Sequence, residues 1–368
     1  MPKALETVLE IDLKSLEHNY RFLRSKLNPG TKFLSVVKAF AYGSDAYQIA
    51  LKLQELGTDY FSVAYVKEGV ALRKAGITKP ILVLHPQAVN FETLIEYKLE
   101  PSLYAFGILN QFMAMLVQKK INRYPVHIKF NTGLNRLGFG EKDVTFLLVL
   151  LQNQKALEIV SLFSHLAATE DPKEEEFTKN QIALFEKISV EVANRLKIQP
   201  IRHILNTSGI LNYSEAQYDM VRSGIGLYGY GNEAKFDAEL KPIVTLKTII
   251  SQIHHLSPND TVGYNRAYVS RYPRVSATLP IGHADGIGRQ YGKGKTFVLV
   301  NGQMAPIIGN VCMDMIMIDI TDIPSKEGDE VILFGPQLSA HEVAKTANTI
   351  SYELITGISQ RVKRVYAH

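Results

Sequence analysis

Eight short apolar runs punctuate the first two thirds of this chain, at residues 33–37, 60–64, 80–84, 99–104, 126–130, 159–164, 202–205 and 219–222. Each is too short for a helix and lies between longer segments, which predicts strands. The intervening segments carry helical spacing. Leu13, Leu16, Tyr20, Leu23 and Leu27 recur at intervals of three and four behind Asp12, a suitable N-cap. Phe177, Leu184, Phe185, Ile188, Val192 and Leu196 mark a longer helix of the same kind. Strands alternating with helices leave two parallel-sheet architectures. An open doubly wound sheet would want G-x-G-x-x-G after its first strand, whereas Lys38-Ala39-Phe40-Ala41-Tyr42-Gly43 stands there. Eight strand–helix repeats over roughly 230 residues fit a (β/α)₈ barrel instead.

The texture changes after the polar segment 231–237. Period-two alternation bounded by Gly or Pro predicts strands at 242–253, 275–281, 296–300, 315–320 and 330–334, with one helix at 341–355. The expected organisation is a barrel over residues 1–235 and a mostly-β domain over 236–368. Composition narrows the class. Hydrophobic residues at 46% and charged residues at 21% exclude a disordered tail. The longest apolar runs, such as 146–151, fall far short of the ~20 residues a membrane span needs. The amino terminus shows no apolar leader core, and the single cysteine, Cys312, fits a reducing cytoplasm rather than a disulfide scaffold. A dispersed net charge of +5 excludes a nucleic-acid binder but suits a site for small anions.

Barrel enzymes carry their working groups at the carboxyl ends of the strands. Here those ends deliver Lys38 and Tyr42 after the first strand, Thr132 to Gly138 with Arg136 after the fifth, and His165 after the sixth. Asn206, Thr207 and Ser208 follow the seventh, and Arg222 with Ser223, Gly224, Ile225 and Gly226 closes the eighth. Small residues after the last two strands make a phosphate cradle. A lysine held near arginines has a lowered pKa and becomes an amine nucleophile. A phosphate site together with such a lysine points to pyridoxal 5′-phosphate. A metal-dependent barrel hydrolase would need clustered ligands; there is no H-x-H after the first strand and no H-E-x-x-H, so no metal is expected.

Seven stretches make the reading sharper: 36–43, 132–138, 221–229, 262–264, 282–286, 312–314 and 352–366. In this order they resemble the signatures of the alanine racemase family, fold-type III pyridoxal-phosphate enzymes, over nearly the whole chain. The resemblance implies that Lys38 binds the cofactor covalently and works as acid/base on one face of the substrate Cα. Tyr264, from the partner subunit of a head-to-tail homodimer, would serve the opposite face. Arg222 would meet the pyridine nitrogen, with His165 against it relaying the tyrosine's proton. Arg136 and the Met313 backbone N–H, flanked by Cys312 and Asp314, would take the substrate carboxylate. Tyr42, Asn206, Thr207, Gly224, Ile225 and Tyr352 would hold the cofactor, and Lys129 matches a position often carried as a carbamate. Phe40, Asn131, Thr207 and His283 depart from the commonest family pattern, His283 standing where a tyrosine is usual.

An arginine at the pyridine nitrogen keeps that nitrogen unprotonated, because two facing cations repel. That disfavours decarboxylases of the same fold type, which would want a carboxylate there. A non-catalytic cofactor carrier would resemble the first domain only, whereas this chain also has the segments bearing Tyr264 and Met313. The expected activity is interconversion of L- and D-alanine, supplying D-alanine for peptidoglycan; an amino-acid racemase of broader specificity is the alternative.

Overall fold

The described chain opens with a four-residue strand, β1 (Val8–Ile11), and then builds the eight expected strands. These are β2 (Lys32–Val36), β3 (Tyr60–Val63), β4 (Ile81–Val83), β5 (Glu100–Leu103), β6 (Tyr124–Lys129), β7 (Leu157–Phe163), β8 (Ile201–His203) and β9 (Met220–Ser223). They pair in parallel in the order β8-β7-β6-β5-β4-β3-β2-β9. Across the remaining seam, Asp219 N–H donates to Arg202 O at 3.1 Å and Arg222 N–H to Leu205 O at 3.1 Å. This is the expected (β/α)₈ barrel. The computed structural model describes residues 4–152 and 154–367; the outermost positions of the two expected domains, 1–3 and 368, lie outside that set.

The chain clusters into two compact units, one of Glu17–Ala41 and Ala46–Leu240, the other of residues up to Leu16, Tyr42–Asp45 and Lys241 onward. In the barrel unit, hydrophobic periodicity does what the sequence pattern requires. The helix Leu13–Ser25 buries Tyr20, whose ring meets Phe33 edge-on at 5.0 Å, and the helix Glu175–Leu196 buries Phe185, Ile188 and Val192. The strands themselves are less conventional. Barrel strands usually bury branched aliphatics, yet these bury Ser35, Ser62, Ser102, His127, Lys129, Ser161, His203 and Arg222. Ser35, His127, Ser161, His203 and Arg222 are hydrogen-bonded to other side chains, whereas the Ser62 and Ser102 hydroxyls have no partner among the described residues.

The second unit is built on a nine-stranded sheet. Its further strands are β10 (Val244–Ile249), β11 (Gln252–Leu256), β14 (Arg274–Leu279), β15 (Phe297–Val300), β16 (Gln303–Ile308), β17 (Ile316–Asp319), β18 (Glu330–Phe334) and β19 (Lys363–Tyr366). A separate two-stranded ribbon pairs β12 (Thr261–Val262) with β13 (Tyr268–Val269). The sheet order is β11-β14-β17-β16-β15-β18-β10-β1-β19. The run expected as one strand at 242–253 is two, because consecutive residues choose different neighbours: Ile250 N–H donates to Asp329 O and Ser251 N–H to Thr278 O. The expected helix at 341–355 is likewise two short ones, Ala340–Thr346 and Ser351–Thr356, separated by Asn348 at φ 54°. β16 escaped the sequence pattern because Pro306 interrupts it, and β19 because it carries Lys363 and Arg364. Among the described residues no helix is long and apolar enough to cross a membrane.

β1 sits inside this sheet, antiparallel to β10 and parallel to β19. Its Glu10 accepts from the buried Lys247 Nζ at 2.9 Å. Breaking a buried pair leaves one charge uncompensated, at a cost of about 3–5 kcal/mol. Lys247→Met should lose stability on that scale in urea denaturation, and the double variant Glu10→Leu/Lys247→Met should recover most of it.

Candidate active site

The lysine at the end of β2 enters a backbone conformation that L-residues avoid. Ala39, Phe40, Ala41 and Tyr42 all have φ between 51° and 54°, a single left-handed turn. Each such residue costs roughly 1–2 kcal/mol, so the turn needs external anchors. Glu68 supplies one: its Oε1 accepts from Ala39 N–H at 2.6 Å while Oε2 accepts from Ala64 and Tyr65 N–H at 2.7 and 3.0 Å. Glu68 is the third residue of the helix Val66–Lys74, the position from which a Glu bonds back to a helix start. That spacing is the signal in the sequence that marks Glu68. In the second unit, Arg364 donates to Gly43 O at 2.7 Å and Ser44 O at 3.1 Å. Gly43 is itself obligatory, since φ is 79° and a Cβ would lie 2.1 Å from Ile355 O.

Four cations converge in the barrel unit. Lys38 is half-buried at the end of β2, Lys129 closes β6, Arg136 stands on the 132–138 loop and Arg222 is the third residue of β9. Burial, reinforced by Arg136, lowers the pKa of Lys38. Burial, with Arg136, Arg222 and Lys38 adding to it, brings Lys129 down to about 8. Among the described residues neither Lys129 nor Arg136 has a carboxylate partner. A cluster of this kind is an electrostatic invitation to anions. The Arg136 loop is held by Asn131, whose Oδ1 accepts from Gly133 and Asn135 N–H at 3.2 and 2.9 Å.

Arg222 is only 5% exposed, and burial brings it down to about 9, so it stays cationic at neutral pH. Its Nη1 donates to His203 Nδ1 at 2.6 Å and His203 O at 3.3 Å. Nη2 donates to Ser164 O at 2.7 Å, Ile204 O at 3.0 Å and His165 Nδ1 at 3.2 Å. This leaves the Nε N–H as the one not given to a described residue. His165 lies well below the ordinary imidazole range, through burial first and then through Arg222, Arg136, Lys129 and Lys38. It is therefore neutral, and because Nδ1 accepts from a guanidinium its proton must sit on Nε2.

After β8, Asn206 caps the short helix Thr207–Asn212 by accepting from Gly209 N–H at 2.8 Å. Thr207 Oγ1 lies 3.0 Å from Ser223 Oγ and accepts from Gly226 N–H at 3.2 Å, which joins the turns after β8 and β9. Thr207, Gly224 and Ile225 are all buried there.

In the second unit the rings of Tyr42 and Tyr352 lie 6.1 Å apart. Tyr264, 72% exposed, follows Gly263 at φ 75°, and its carbonyl accepts from Asn310 Nδ2 at 3.0 Å. Tyr264, Cys312, Met313 and Asp314 line one depression, with Met313 59% exposed. Exposed His283 flanks that segment: its N–H donates to Cys312 O at 3.0 Å, and Ala284 N–H donates to Met313 O at 3.0 Å. Gly282 permits this approach, since a Cβ there would meet both carbonyl oxygens at 2.4 Å. Arg361, unremarked within its motif, clamps the arrangement by donating to Asp285 at 2.6 and 3.1 Å and to Asp314 at 2.6 Å. Among the described residues no three His, Cys, Asp or Glu side chains form a metal-binding group.

The depressed amine of Lys129 has a stability consequence. The unfolded chain binds its proton more tightly than the folded one, so the penalty is complete below pH 8 and is relieved as pH rises toward the ordinary amine range. In carbonate-free buffer, Lys129→Met should be more stable than the parent at pH 7, with the difference narrowing by pH 10 in denaturant titrations. Arg361→Ala should lower Tm, because it leaves the buried Asp285 carboxylate without its cation.

The geometry has close relatives. The family model for the alanine racemase N-terminal domain matches residues 11–232, and that for the C-terminal domain matches residues 243–366. The chain is 37% identical to the alanine racemase of Halothermothrix orenii, over 98% of this chain and 96% of that one. It is 34% identical to alanine racemase 2 of Caldanaerobacter subterraneus subsp. tengcongensis, over 98% and 95%. Among solved structures, alanine racemase of Clostridium difficile 630 superposes with a TM-score of 0.92 at 33% identity, covering 100% of this chain and 97% of that one. The Bartonella henselae enzyme, with covalently bound pyridoxal phosphate, gives 0.90 at 31% identity, covering 99% and 100%. The chain belongs to the alanine racemase family and is an amino-acid racemase.

Proposed function

We propose that this racemase interconverts L- and D-alanine by a two-base mechanism with pyridoxal 5′-phosphate bound at Lys38, in the cytoplasm, and supplies D-alanine for peptidoglycan. The observation that carries the reading is the convergence of Lys38, Lys129, Arg136 and Arg222, with a single Arg222 N–H left over. The donor set fits the group. A phosphate and a substrate carboxylate are the anions such a cluster calls for, and a donor-only guanidinium suits an unprotonated ring nitrogen. The Bartonella henselae relative carries this cofactor covalently, which supports the assignment.

When bound, the cofactor supplies an electron-withdrawing system that acidifies the α-C–H of an attached amino acid. Everything else is work for the chain. Lys38, its pKa lowered by burial and Arg136, anchors the cofactor and then serves as base for the α-proton on one face. Tyr264 of a second copy returns a proton to the other face; its exposure, with that of Met313 and Met315 beside it, supports a head-to-tail homodimer. His165 offers its Nε2 proton to the phenol oxygen of that tyrosine, stabilising the charge left when the phenol gives up its proton. Arg136 and the Met313 backbone N–H orient the substrate carboxylate. Arg222 would give its remaining N–H to the ring nitrogen and, as a cation, would disfavour a proton there, making the ring a weaker electron sink. Tyr42, Tyr352, Asn206, Thr207, Gly224 and Ile225 hold the phosphate end. At a pKa of about 8, Lys129 is uncharged often enough at neutral pH to condense with CO₂, forming an N–C bond and releasing a proton. The resulting carbamate would give Arg136 its counter-charge.

Lys38→Ala should abolish covalent cofactor attachment, read by borohydride reduction and peptide mass mapping. Tyr264→Ala should slow solvent exchange of the α-proton of one enantiomer by about 10²–10⁴-fold while sparing the other. A chain that never takes up the cofactor, or equal exchange losses for both enantiomers, would remove the reading.

A further inference from the structure

Four hydrogen bonds join five side chains on five consecutive barrel strands, running from Glu100 at the start of β5 to Arg222 on β9. Glu100 Oε2 lies 2.7 Å from His127 Nε2, and His127 Nδ1 lies 2.6 Å from Ser161 Oγ. Ser161 Oγ lies 3.0 Å from His203 Nε2, and His203 Nδ1 lies 2.6 Å from Arg222 Nη1. All five residues are buried. His203 stacks flat on Phe163, with centroids 4.9 Å apart and an interplanar angle of 1°, and Tyr60 meets His127 edge-on at 6.0 Å. Neither imidazole can swing away to find other partners.

The two ends dictate the direction of every bond between them. A guanidinium only donates, so His203 Nδ1 must be bare and its proton must sit on Nε2. A carboxylate only accepts, so His127 must present Nε2–H to Glu100, and with one ring proton it then leaves its own Nδ1 bare. Ser161 has one hydroxyl proton, which bare His127 Nδ1 claims, so toward His203 the serine can only accept. The sequence of donors, Arg222 to His203 to Ser161 to His127 to Glu100, uses one proton per bond and leaves none over. Without the carboxylate, His127 is free to move its proton to Nδ1. Ser161 is then released to donate to His203 Nε2. His203 can in turn carry its proton on Nδ1, where it repels the Arg222 N–H.

We propose that Glu100 is a positioning residue for Arg222, fixing the tautomers of His127 and His203 from the far end of the relay so that the guanidinium holds one orientation. This rests on the reading that Arg222 meets the cofactor's ring nitrogen. Burial first, and then the Arg222 guanidinium, keeps His203 far below the ordinary imidazole range, which agrees with a neutral His203 in the chain. Tyr60, Tyr124 and Arg73 also face Glu100, but Arg73 gives its N–H groups to the carbonyls of Tyr97, Ile77, Lys79 and Lys98. Tyr124 gives its hydroxyl to Leu94 and Leu99 carbonyls, so His127 is the side chain Glu100 serves.

The test is ¹⁵N NMR of the full chain labelled at histidine, with His127→Gln and His203→Gln assigning the two rings, together with titration of pyridoxal phosphate. Both rings should carry their proton on Nε2. Glu100→Leu should move the His127 proton to Nδ1, populate the Nδ1 form of His203 and weaken pyridoxal phosphate binding by about tenfold, the worth of one buried hydrogen bond. Glu100→Gln, whose side-chain carbonyl still accepts, should restore both tautomers and affinity. If Glu100→Leu does not fold, Ser161→Ala cuts the relay with Glu100 in place; His127 should stay on Nε2 and affinity should fall to the same extent. A proton on His203 Nδ1 in the parent chain overturns the proposal. So does a Glu100→Leu or Ser161→Ala chain with lowered Tm but unchanged cofactor affinity. A parent chain that binds no pyridoxal phosphate yet shows both Nε2 tautomers overturns the cofactor reading and upholds the relay.

Discussion

A guanidinium taken out of water must give its N–H groups to acceptors or lose several kcal/mol for each charge left unsolvated. Arg222 meets that demand with three backbone carbonyls and two imidazole nitrogens. The consequences run through the rest of the barrel. His165 and His203 have to be neutral and have to point bare nitrogens at it. Ser161, His127 and Glu100 have to follow in order behind His203. The polar interior, where aliphatic side chains would be the usual filling, is the surrounding that keeps one cation buried in a fixed orientation.

That arrangement explains why the site is built on strands at its centre and on strained backbone at its edge. The strands hold Lys129, His203 and Arg222 to positions set by ladder hydrogen bonds. Lys38, in contrast, leads into four consecutive left-handed residues held by Glu68. A turn with that much backbone cost persists only where its surroundings over-determine it, as functional sites do. In the second unit the same logic is met with ion pairs, Arg361 tying the 282–286 and 312–314 segments through Asp285 and Asp314.

The eight barrel strands were legible as short runs alternating with longer segments, and the helices because their apolar residues recur at 3.6-residue spacing. The strand-end residues were legible from barrel architecture and from motif resemblance. What stayed hidden were residues whose work is to hold others. Glu68, Arg361 and Arg364 look like surface charges in one dimension, and His127 and Glu100 like isolated polar residues in a strand. Their value lies in partners 27 to 321 positions away. β1 belongs to the same class: its place between β10 and β19 depends on pairing residues more than 230 positions distant.

The sequence by itself determined the local periods, hence strand and helix identities, and the residue types at the barrel's working end, because side-chain chemistry and backbone preference act over a few residues. Only the tertiary structure decided which carbonyls and imidazoles receive the Arg222 protons, and so which tautomers the histidines take. Hydrogen bonds have directions, and a direction is fixed only when both partners are brought within hydrogen-bonding distance of each other, whatever their separation along the chain.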